Sequence, residues 1–170
     1  MKYIKLTSLL FTFLFTLNCS AQSTTKSISA EGISINYPIN WEIMKMPGYP
    51  ILVKEKAIKT EYAVLCNFSI ETQSTQLSLD NYFEEYKVKS LKNQYLSNWK
   101  ILTKQNVQFH GKNAIELIST YVMAGYDCKS HVFLVADNNR IINFSTTSSL
   151  SDFDKNETIT KPIFKSISLK

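Results

Sequence analysis

The sequence predicts an α+β fold: an antiparallel, twisted sheet of about six to seven strands packed against helices. Three observations carry this. Apolar side chains alternate with polar ones at a period of two through Ile33, Ile35 and Tyr37, and again at Trp41 and Ile43. The segment 79–97 carries its apolar residues at helical spacing instead. The second half of the chain is a succession of β-rich segments separated by short turn signals. A length of 170 residues suits one domain. The expected organisation is an export signal over 1–21, a flexible leader over 22–27 and a single α/β domain over 28–170.

The signal rests on Lys2 and Lys5 ahead of the apolar run from Leu9 to Leu17, with Cys19-Ser20-Ala21 supplying small residues for cleavage. That run is too short to span a bilayer. The expected location is therefore periplasmic or secreted. The alternative is a lipid anchor on Cys19, although Thr16-Leu17-Asn18 fits poorly as the segment preceding a lipidated cysteine. Loss of Lys2 and Lys5 lowers the formal charge from +5 to +3. Arg140 is the one arginine, and arginine is the preferred residue for bidentate phosphate and base contacts. Mild charge and export together argue against nucleic acid as a partner.

The first predicted element of the domain is a short edge strand over 27–29. It is followed by the strand from Ile33, a corner at Pro38, which has no N–H for a ladder, and a second strand through Trp41, read as a large core anchor. Met46-Pro47-Gly48-Tyr49-Pro50 forbids a regular element. Strands are expected over 51–54 and 60–72, the latter placing Tyr62, Val64, Cys66, Phe68 and Ile70 on one face. Ser78 occupies the position of a helix N-cap, with Asp80 in the first turn. The stripe Leu79, Phe83, Tyr86, Leu91 and Tyr95 should cover one face of the sheet. Four strands follow, over 99–109, 114–123, 129–136 and 140–146, with turns at His110-Gly111 and Asp137-Asn138-Asn139. Residues 148–154 read as a polar loop. The tail over 156–167 reads as partly helical, with Pro162 limiting where a helix can start.

No motif for a nucleophile elbow, a zinc protease helix, a phosphate loop or a paired C-x-x-C site is present. No catalytic residue, cofactor ligand or metal ligand is therefore assigned. Cys128 and His131 stand three apart on a strand, which points them to opposite faces and argues against a dyad. Export permits a Cys66–Cys128 disulfide, but Cys66 falls on a core face where a free thiol is a small hydrophobe. The candidate binding surface is Trp41, Tyr49, Tyr121, Tyr126, His131 and Arg140.

The order of elements and several short motifs resemble the PsbP-like/Mog1-like family. These are the corner Tyr37-Pro38-Ile39-Asn40-Trp41, the helix opening Ser78-Leu79-Asp80-Asn81-Tyr82, the turn at Gly111, and the terminal Ser168-Leu169. The resemblance spans about residues 28–169. It implies an antiparallel sheet between helices and a non-catalytic binding or assembly protein, and it transfers no catalytic residue. The expected function is thus a non-catalytic exported envelope protein, a monomer, binding a protein or small ligand. Two alternatives stand beside it. One is a carrier of an apolar molecule in a cavity beneath the 79–97 helix. The other is a hydrolase in which His131, Asp137 and Arg140 meet across neighbouring strands.

Overall fold

The computed structural model describes residues 24–170; the expected export signal and the beginning of the expected leader lie outside the described residues. Two antiparallel sheets and two helices make up the fold. The smaller sheet has the order β1-β2-β10, from β1 (Thr25–Ala30), β2 (Ile33–Pro38) and β10 (Ser168–Leu169). The larger sheet has seven strands in the order β3-β4-β5-β9-β8-β7-β6. In chain order they are β3 (Trp41–Ile43), β4 (Ile51–Glu55), β5 (Cys66–Ser74), β6 (Leu96–Phe109), β7 (Lys112–Met123), β8 (Tyr126–Asp137) and β9 (Arg140–Ser149). Helix α1 (Leu79–Lys92) and helix α2 (Phe153–Ser166) lie on opposite faces of the larger sheet.

The corner at Pro38–Asn40 carries the chain from one sheet to the other. Tyr37, at 5% exposure, and Trp41, at 1%, are buried in a common core. That core joins Ile33 and Ile35 of β2 to Phe68, Ile70, Ile142 and Phe144 of the larger sheet and to Ile163 and Phe164 of α2. Across the sheet, α1 sets Tyr82 and Phe83 against Ile115, Leu117, Val132, Leu134 and Ile141. Helix α1 touches β6, β7 and β8. It thus covers the meander side of its face, reaching β9 at Ile141 and β5 at Gln73. The rest of the side built from β4, β5 and β9 has no α-helix packed on it and is bordered by the 3₁₀ segment Thr60–Leu65.

The turns follow from backbone conformation. Glu31-Gly32, His110-Gly111 and Ala124-Gly125 each place two successive residues at positive φ. This is the type I′ geometry whose twist matches two-residue hairpins.

The leader reading is corrected in part. β1 begins at Thr25, because β2 pairs with it from Thr25↔Pro38 onward and Ser27 Oγ donates to Asn36 Oδ1 at 2.7 Å. The predicted strand over 60–72 is also corrected. Residues Thr60–Leu65 form a 3₁₀ segment, and the strand starts at Cys66. The β5–β9 ladder begins at Cys66↔Ser148 and β9 stops at Ser149, so residues before Cys66 have no strand to pair with. Helix α1 ends at Lys92 rather than 97. There Asn93 Oδ1 accepts the Tyr95 amide at 2.9 Å and turns the chain into β6. Leu91 and Tyr95 are consequently exposed. The loop expected over 148–154 is strand, a 3₁₀ turn and the first residues of α2. Helix α2 runs through Pro162, whose missing N–H falls on the exposed side of the helix.

Three polar arrangements fasten the edges. Lys54, at 1% exposure, reaches Glu42 Oε1 at 2.6 Å and the carbonyls of Glu55 and Ile58. This bond holds the Glu42 carboxyl below its ordinary range. His131 bridges β7 to α2. Its Nε2 lies 2.7 Å from Glu116 Oε1, and its Nδ1 lies 3.4 Å from Glu157 Oε1, off hydrogen-bond geometry. Asp137 is held by Lys112 at 2.8 Å and by Arg140 at 2.7 and 3.0 Å. Burial alone would raise the Asp137 carboxyl, but the bonds from Lys112 and Arg140 outweigh it and the net shift is downward.

A lowered folded value means that Asp137 stabilises the fold above the ordinary carboxylate range, and that this contribution is lost as pH falls. Asp137→Asn is therefore expected to cost about 1–3 kcal/mol at neutral pH. Urea unfolding of both proteins across acid pH should show the gap closing; a gap independent of pH would contradict this assignment.

Candidate binding site

Apart from Leu52 of β4, the strand residues that floor the uncovered side of the α1 face are polar. From β5 they are Asn67, Ser69 and Glu71, and from β9 they are Asn143, Ser145 and Thr147. Alternation dictates this, since Phe68, Ile70, Ile142 and Phe144 point to the α2 side. Ser130 of β8 and Tyr121 of β7 continue the floor. Met44, Met46 and Tyr49, between β3 and β4, form one wall, and Tyr86, Ser90 and Trp99 form the other. The resulting trough encloses about 380 Å³, at the small end of ligand cavities. Another hollow, of about 400 Å³, is lined by Leu79 and Asp80 of α1, Asn106, Val107 and Gln108 of β6, and Asn113 and Ala114 of β7. Its lining is mostly exposed and includes none of the unpartnered buried polar atoms found among the described residues, so the trough is the better-built site.

Most floor hydroxyls satisfy one another sideways. Ser69 Oγ and Ser145 Oγ are 2.8 Å apart, as are Ser119 Oγ and Ser130 Oγ, and Tyr121 Oη is 3.1 Å from Thr147 Oγ1. Asn143 differs. It is 7% exposed, and its Oδ1 has no hydrogen-bond partner among the described residues. A buried acceptor left unpaired costs about 1–3 kcal/mol, so one on a residue that lines a cavity marks where a donor belongs. Tyr86 and Trp99 stand edge to face, with ring centroids 6.5 Å apart.

Of the six residues expected to form a binding surface, the structure brings together Tyr49 and Tyr121 in this trough. Trp41 is buried on the far side of the sheet, where its Nε1 has no partner among the described residues. Tyr126 is exposed at the β7–β8 turn and packs edge to face on Tyr62 at 5.9 Å. His131 faces α2, and Arg140 is occupied by Asp137 and the Glu31 carbonyl. The hydrolase alternative required His131 to meet Asp137 and Arg140. The latter pair closes the β8–β9 hairpin, whereas His131 lies six residues back along β8, about 20 Å away at the strand rise; the three do not meet. Cys66 and Cys128 are both free and flank β9 on either side, opposite Ser148 and Ser149. Two strand spacings separate them, about 10 Å, beyond disulfide reach. Among the described residues no group of three His, Cys, Asp or Glu side chains is arranged to hold a metal ion, and no helix is long and apolar enough to cross a membrane.

Sequence reasoning missed Glu71, Asn143, Ser145 and Trp99. The available signal was the run Ser145-Thr146-Thr147-Ser148-Ser149, unusually polar for a strand paired on both sides.

Burial is the leading cause that raises the phenols of Tyr49, Tyr86 and Tyr121, the last to about 12. Each therefore adds stability that is full below the ordinary phenol value and is lost as pH rises towards the folded one. Ultraviolet titration should reveal a late-ionising tyrosine class in the native protein that disappears on unfolding. Tyr121→Phe should remove one member of that class; an unchanged late class in the variant would refute its burial.

A family model described as PsbP-like protein matches residues 15–166. No curated protein matches the chain. Among solved structures, the cyanobacterial PsbP, CyanoP, from Synechocystis sp. PCC 6803 is similar at a TM-score of 0.63 and 10% identity, over 92% of this chain and 99% of its own. LpqN, involved in cell envelope biogenesis of Mycobacterium tuberculosis, is similar at 0.61 and 8% identity, over 86% of this chain and 91% of its own. A Pseudomonas aeruginosa protein of unknown function, described as a putative regulator, is similar at 0.57 and 13% identity, over 86% of this chain and 97% of its own. At such identities the likeness is one of fold.

Proposed function

The chain belongs to the PsbP-like family, and from that premise we propose that it is a non-catalytic protein of the cell envelope that binds a small molecule in the trough beside α1. The observation that carries this reading is Asn143, whose buried Oδ1 has no partner among the described residues, on the floor of an aromatic-walled cavity. The signal-like sequence over 1–21 and the envelope role of the structurally similar LpqN support the location.

The geometry favours a ligand with a polar edge and an apolar body. Directly beneath α1 the space is filled by Phe83, Leu117 and Leu134. The cavity lies to one side of the helix, and its floor carries hydroxyls, the amides of Asn67 and Asn143 and a carboxylate. A purely apolar cargo would strip water from those groups without replacing their bonds. The Tyr and Trp walls supply flat apolar contact, as small-molecule sites commonly do.

A fragment screen followed by amide ¹H–¹⁵N spectra tests the proposal. Binders should shift the amides of Ser69, Glu71, Asn143, Ser145 and Tyr121 together. Binders that instead shift the α2 face, or a screen with no shift around the trough, would exclude the trough as the ligand site.

A further inference from the structure

We infer that the ligand of this trough is a small organic cation, an amine or guanidine on an apolar body, with its charged head held between Glu71 and Asn143. The inference rests on the reading of the trough as a ligand site and adds the chemistry of the ligand.

Glu71 and Asn143 are directly opposed in the β5–β9 ladder, and both line the trough floor. Directly opposed side chains start about 4.5–5.5 Å apart at Cβ, close enough to share one head group. Both present oxygen acceptors. Asn143 Oδ1 is unpartnered. Glu71 makes no ion pair among the described residues, and Tyr49 is its hydrogen-bonding neighbour. The lining contains this one carboxylate and no lysine, arginine or histidine. The neighbouring serine and threonine hydroxyls already serve one another, so the unpartnered Asn143 oxygen and the Glu71 carboxylate, bonded only by Tyr49 and by no cation among the described residues, set the requirement for a ligand that donates.

The charge balance selects among donors. An anionic ligand would meet the Glu71 carboxylate with no lining cation to offset it. A neutral ligand would satisfy Asn143 and leave Glu71 uncompensated. A cation satisfies both, and the aromatic lining of Tyr86, Trp99 and Tyr121 suits it in a partly desolvated site, since ring quadrupoles attract cations. The field of Glu71 already reaches the walls, where it adds to burial in opposing ionisation of Tyr49 and Tyr86.

The test uses three probes of nearly one shape: phenethylammonium, phenethyl alcohol and hydrocinnamate. Each is titrated into the full chain while amide shifts of trough residues are followed. The amine should bind at least about tenfold more tightly than the alcohol, since one charge-assisted contact is worth roughly a factor of ten. The acid should give no trough shifts. Glu71→Gln, which keeps the side chain's size, should bring the amine down to the alcohol's affinity. Raising salt should weaken amine binding to the unaltered protein and leave the alcohol unchanged, so the inference does not depend on the variant folding. If the alcohol or the acid binds as well as the amine, the cation assignment is wrong while the trough remains a ligand site. If no probe moves the trough amides, both the site and the cation assignment fail.

Discussion

The fold depends on the ladder between β5 and β9. Nine consecutive residue pairs, from Cys66↔Ser148 to Ser74↔Arg140, join strands that lie far apart in the chain. Without this pairing the molecule would be two separate pieces, the β3-β4-β5 ribbon and the β6–β9 meander. Closing so long a loop costs entropy that grows slowly with its length. The return is a continuous apolar layer in which Phe68, Ile70, Ile142 and Phe144 stand on one face with the α2 helix and the small sheet above them. The same ladder determines the other face, because alternation turns every residue between these onto it.

The two faces are finished unequally. The small sheet and α2 cover one side, with Trp41, Phe164 and Ile167 nearly excluded from water. On the other side α1 is fourteen residues long, about 21 Å at the helical rise, and it sits over the meander. The chain on the remaining side is the β3–β4 loop and the 3₁₀ segment, which form walls rather than a lid. The unfilled space coincides with the polar stretch of the floor, where Ser, Thr and Asn replace the Ile and Leu found beneath α1. A packed core would gain from apolar residues at those positions. Their polarity is what a surface kept wet, or kept for a ligand, requires.

Much of the fold was legible in the sequence. Strict alternation located the opening strands, and turn residues at Gly111 and Asn138 located the hairpins. Ser78 marked the start of α1, where its side chain accepts the Asn81 amide as a cap. Errors arose where tertiary partners decide. Thr60–Leu65 has the composition of a strand but no neighbour to pair with. Helix α2 was shortened because its buried stripe includes Asn156 and Thr160, which do not register as apolar. The site was largely illegible. Tyr49 and Tyr121 could be picked out as aromatics, but Glu71 and Asn143 become neighbours through a pairing of strands about seventy residues apart, and no local pattern announces that register.

We propose that this protein meets its ligand at the open half of the α1 face. Filling that space tests it most directly. Ser145 lies on the floor against Ser69, and Ser145→Phe would project a ring into the cavity without touching the α2 side. The expected result is a variant that retains its circular dichroism and cooperative unfolding but no longer binds ligands that bind the parent protein, measured calorimetrically. Unchanged binding by a folded Ser145→Phe protein would contradict the account.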